Sequence, residues 1–168
     1  MVLFLVILTI PKALNNTYVN IAQFTKFGYL FVDKDLEQSF RFIRDNTDKG
    51  SLILADPTFD YDRYSTFITA FAQRPMFVSG EKILESHNVD ISKRQFIRDN
   101  VFKGISFELI ARDLLSNKID YIFLWERDDN FAKKYEDFTD VSFNKSRVKI
   151  LKISKSRLKD FVKTKLNY

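Results

Sequence analysis

Apolar residues follow two rhythms along this chain, and the alternation between them predicts the elements. From Asp33 to Asn46, Leu36, Phe40 and Ile43 fall at helical spacing with Phe42 beside them, and Asp33 or Asp35 can cap the start. The polar cluster Asn46-Thr47-Asp48-Lys49-Gly50 reads as a turn. Ser51-Leu52-Ile53-Leu54-Ala55 is then an unbroken apolar run, the pattern of a strand buried on both faces. Tyr64 to Gln73 reads as a short helix broken by Arg74-Pro75, and Met76-Phe77-Val78 as a second strand ending at Ser79-Gly80. Helices are expected over Ser92–Phe102 and Ser106–Asn117, separated by Gly104; the second places Phe107, Ile110, Ala111, Leu114 and Leu115 on one face. Tyr121-Ile122-Phe123-Leu124-Trp125 is a third buried strand. Val141–Phe143 and Val148–Ile153 alternate around Asn144-Lys145-Ser146-Arg147, the signature of a hairpin. Strands interleaved with helices predict a three-layer, Rossmann-like α/β domain, with a mostly parallel sheet and an antiparallel C-terminal hairpin.

The opening residues break this pattern. Met1 to Ile10 reads MVLFLVILTI, with Thr9 the only polar side chain, and Pro11-Lys12 follows. A membrane-spanning helix needs about 20 apolar residues, so the run covers about half a bilayer. A signal peptide would carry a positive start and a small-residue cleavage site; here no Lys or Arg precedes the run. A buried core segment is a second reading, because short apolar runs are ambiguous. The third is the end of a spanning helix that leaves the membrane at Pro11, and it is the reading preferred here. The expected organisation is residues 1–11 as that truncated span, 12–32 as a linker, 33–153 as the α/β domain and 154–168 as a basic tail helix.

Composition narrows the chemistry. The 168 residues suit one domain, and 45% apolar with 29% charged residues is a globular balance. With no cysteine, disulfides and thiolate metal sites are excluded. The net charge of +5 is unevenly spread: from Lys145 to Tyr168 there are nine Lys or Arg and one acid, Asp160. The remainder is slightly acidic, which argues against a nucleic-acid binder and leaves the basic tail to be explained. Ser154 to Tyr168 sets Leu158, Phe161, Val162 and Leu166 at helical spacing among Lys155, Arg157, Lys159, Lys163 and Lys165. Two readings stay open: a basic amphipathic helix lying on anionic lipid, with those five cations facing it, or a terminal helix packing its apolar stripe on the domain.

Ligands of open α/β sheets sit beyond the carboxyl ends of the strands. The expected strand ends are Asp56-Pro57, Ser79-Gly80-Glu81 and Trp125-Glu126-Arg127, so Asp56, Asp60, Asp62, Glu81, Trp125 and Glu126 are the candidate ligand-facing residues. Asp60-Tyr61-Asp62 has the spacing that holds a divalent cation for a nucleotide sugar, but so short a motif matches by accident, and aspartates capping the next helix explain it as well. No metal site is assigned. His87, the only histidine, has no visible partner for zinc or for base catalysis. Gly28, Gly50, Gly80 and Gly104 are isolated, so no phosphate loop exists, no G-x-S-x-G elbow occurs, and no cofactor is expected. Asn15-Asn16-Thr17 and Asn144-Lys145-Ser146 match the glycosylation acceptor pattern, as chance allows in a chain this rich in Asn and Lys.

The order of features resembles a known arrangement. An apolar exit ending in Pro11 is followed by the helix Gln38-Ser39-Phe40-Arg41-Phe42-Ile43-Arg44-Asp45-Asn46-Thr47 and the strand Ser51-Leu52-Ile53-Leu54-Ala55-Asp56-Pro57. Then come Gln73-Arg74-Pro75-Met76-Phe77-Val78-Ser79-Gly80, Leu114 to Leu124, and the closing pair Val141–Asn144 and Val148–Ile153. Over roughly residues 1 to 153, this is similar to the C-terminal extracytoplasmic domain of bacterial multi-spanning proteins related to the C-type glycosyltransferases, which use lipid-phosphate-linked sugars. The resemblance implies a cell-membrane location with the soluble part on the extracytoplasmic side. The implied partners are the membrane and the rest of a parent membrane protein, and not nucleic acid. It also implies a non-catalytic role assisting acceptor or lipid-linked donor binding. The family's catalytic acid lies in an early loop of the membrane region, so no catalytic residue carries over to this chain. The basic tail beyond Ile153 has no counterpart in the resemblance. It motivates the alternative, a stand-alone membrane-tethered module binding anionic lipid or cell-wall polymer.

Overall fold

The computed structural model describes residues 34–58, 65–104 and 106–166. The expected span 1–11 and linker 12–32, together with Asp33, Asp60 and Asp62, lie outside the described residues. The described elements are α1 (Lys34–Asn46), β1 (Ile53–Ala55), α2 (Ser65–Ala72), α3 (Glu81–Ser86), α4 (Ser92–Lys103) and α5 (Phe107–Ser116), then β2 (Tyr121–Trp125), α6 (Asp129–Lys133), β3 (Thr139–Asn144), β4 (Val148–Ile153) and α7 (Lys155–Leu166).

The four strands form one open sheet in the order β1-β2-β4-β3. Only β1 and β2 run parallel, with Ile53 beside Tyr121 and Ala55 beside Phe123. β4 lies antiparallel between β2 and β3. The sheet is therefore mostly antiparallel, and the mostly parallel Rossmann-like arrangement expected from the sequence is overturned. The physical reason lies in what an apolar run reports. Helices cover both faces of this sheet, so Ile53–Ala55 and Tyr121–Leu124 are buried on both sides. Continuous apolarity records that double burial and says nothing about the direction of a neighbour. Two other departures contribute. Met76-Phe77-Val78 makes a single parallel bridge, Met76 to Ile53, rather than a ladder. The hairpin strand β4 enters the middle of the sheet instead of closing its edge.

Strand parity sorts the side chains between the two faces. Leu54, Ile122, Leu124, Leu151 and Ile153 share a core with Ile97 and Val101 of α4, Ile110 and Leu114 of α5, and Leu158 of α7. Phe123 points the other way and stacks on Phe40 of α1, their ring centroids 6.4 Å apart; Phe40 also stacks on Phe71 of α2 at 5.9 Å. A bulge in β3 serves both faces. Val141 pairs with Leu151 and Phe143 with Ile150, leaving Ser142 as the extra residue. Phe143 thereby meets Phe42 of α1 at 5.3 Å.

Local chemistry ends the elements. Gly104 takes a left-handed conformation (φ 67°) after α4 and donates its N–H to the carbonyl of Asn100, a helix stop that glycine adopts without a Cβ penalty. Asp128 caps α6 by accepting from the N–H of Phe131 at 2.8 Å. Asp120 joins the strands at the opposite end of the sheet: its carboxylate accepts from the N–H of Leu52 and its carbonyl from the N–H of Ile153.

Candidate functional site

At the end of β1 the chain turns through Asp56-Pro57-Thr58. Asp56 donates its own N–H to the carbonyl of Phe123, which fixes it against β2. Its side chain is fully buried. Oδ1 accepts from the N–H of Thr58 at 2.9 Å and from its hydroxyl at 2.6 Å. A buried carboxylate in so apolar a setting requires a cation, and Arg127 supplies it in a two-pronged arrangement: Nε to Oδ2 at 2.5 Å and Nη2 to Oδ1 at 3.1 Å. The hydrogen bond to Asp56 is the largest influence on this guanidinium and raises its pKa further, against the opposing effect of burial. The guanidinium also lies over the ring of Phe131, 5.1 Å from its centroid. Lys149 donates to the Arg127 carbonyl at 2.9 Å and pairs with Asp129 at 3.2 Å.

The neighbouring strand-end residues are held in the same manner. Glu126 adopts a left-handed backbone (φ 52°), which re-aims the chain as it leaves β2. Its carboxylate accepts from Nε of Arg147 at 2.8 Å. The same guanidinium covers the half-buried ring of Trp125, 4.4 Å from its centroid. Glu81, at the start of α3, accepts from Nε2 of Gln95 at 2.9 Å and forms an ion pair with Arg98, itself a buried residue. His87 sits exposed in the turn after α3, its N–H bonded to the carbonyl of Leu84.

Asp56, Trp125 and Glu126 therefore stand together where β1 and β2 finish, joined through Arg127 and Arg147. Glu81 belongs to a separate pairing with α4. Among the described residues there is no group of three or more His, Asp or Glu set to hold a metal, and no buried side-chain nitrogen or oxygen lacks a hydrogen-bond partner.

The five tail cations divide by position. α7 buries Leu158 completely and packs Phe161 and Val162 on the core, with Phe161 against Phe138 at 5.4 Å. Leu158, Phe161 and Val162 of its apolar stripe are thus occupied by the domain. Lys155 reaches back to the carbonyl of Ile119 and to Asp120 at 3.0 Å. Arg157 pairs with Asp140 at 2.6 Å. Lys159, Lys163 and Lys165 are exposed.

Sequence reasoning stopped at the acids and passed over the arginines that hold them. Arg127 belonged to the strand-end triplet already in view, and a cation directly after a buried strand, facing an Asp after its neighbour, was the available signal. Arg98 and Arg147 gave none, since each meets its acid across a distance that only the fold closes. No helix of the described residues is long and apolar enough to cross a membrane. Neither a protein-family model nor a curated protein sequence matches the chain.

Proposed function

We propose that this chain is a non-catalytic accessory domain of a membrane glycosyltransferase, held on the extracytoplasmic side and assisting the binding of acceptor or lipid-linked donor. The observation that carries the non-catalytic part is the state of Asp56. It occupies the position where an open α/β sheet would present a reactive carboxylate, yet both its oxygens are taken by Arg127 and Thr58 and its side chain is out of solvent. A general base or a metal ligand needs an oxygen turned towards the reacting group; Asp56 spends its own on joining β1 to β2. The membrane part of the reading rests on the apolar run Met1–Ile10 and on the order of elements that resembles the glycosyltransferase-related proteins.

The full chain, purified in detergent, tests the reading when titrated with a polyprenyl-phosphate sugar. Saturable binding without sugar transfer to any acceptor is the expected result. Sugar transfer by this chain alone would overturn the non-catalytic assignment, and absence of donor and acceptor binding would overturn the accessory role.

A further inference from the structure

We draw no further inference here: the strongest candidate, the surface patch formed by the exposed Phe96 of α4 and the exposed Val89 in the turn before that helix, is an apolar face and nothing in the structure shows what covers it.

Discussion

The guanidinium of Arg74 donates twice to Thr47, from Nε to the hydroxyl at 3.0 Å and from Nη2 to the carbonyl at 2.6 Å. It also reaches the carbonyl of Arg44 at 2.6 Å and those of Ala72 and Gln73 at 3.4 and 3.0 Å. One buried arginine thus satisfies carbonyls at the ends of both α1 and α2, where the last turn of a helix has no internal donors. Arg74→Ala should cost about 3 kcal/mol, since several buried acceptors lose a charged donor at once. Arg74→Lys should recover only part of this, an ammonium being unable to span the fork. Urea unfolding followed by Trp125 fluorescence measures both; a loss under about 1 kcal/mol for the alanine variant would show that water replaces the arginine.

The Asp56–Arg127 pair should be worth more as a pair than either partner alone. Arg127→Ala strands a buried carboxylate, and a loss of about 3 kcal/mol is expected. Asp56→Leu with Arg127→Met together should be milder than Arg127→Ala, because no unpaired charge remains. A double-mutant cycle by chemical denaturation gives the coupling. Additive losses would indicate that the two side chains contribute independently.

Tyr135 predicts an alkaline limit. Its side chain is buried among Phe107, Phe131 and Phe138, and its hydroxyl donates to the carbonyl of Val101. Burial is the main cause that pushes the phenol well above the usual tyrosine range. A pKa raised in the folded state gives stability that is whole below the unfolded value of about 10 and is lost as pH climbs from there towards the folded value. Stability should therefore fall above about pH 10, with the tyrosinate absorbance of this residue appearing only as the chain unfolds. Tyr135→Phe should lose about 1 kcal/mol at neutral pH and show a shallower alkaline decline. An unchanged pH profile would assign the alkaline sensitivity to other groups.

The β3 bulge makes an unusual deletion tolerable. Removing Ser142 leaves Val141 opposite Leu151 and Phe143 opposite Ile150, with both side chains still on their present faces. Stability should change by no more than about 1 kcal/mol. β3 is an edge strand carrying the exposed Val141, and straightening it removes a device that discourages edge pairing. The deletion should therefore raise self-association, measurable by sedimentation. A severe loss of stability instead would mean that the bulge itself anchors the hairpin.

Local pattern located most elements and missed how they are joined. Leu36, Phe40 and Ile43 announced the buried face of α1, and Tyr121–Trp125 announced β2, because burial leaves its mark on composition. The short helices Glu81–Ser86 and Asp129–Lys133 are too brief for a period to register. Strand direction was illegible because Ile53–Ala55 looks the same beside a parallel or an antiparallel neighbour. At the strand ends, the carboxylates Asp56, Glu81 and Glu126 were visible as polar residues after apolar runs. Their arginines lie 71, 17 and 21 positions away, and no spacing rule reaches that far.

Because β4 lies between β2 and β3, the inside of the sheet is completed by a strand synthesised after both of its neighbours. While residues up to Trp125 are emerging from a ribosome, β2 can pair only with β1, and its other edge stays open until Val148–Ile153 arrives. Completion of the sheet is in that sense deferred until β4 is made, and a chain stalled before Val148 would present a bare apolar strand, Tyr121–Trp125, as a template for aggregation.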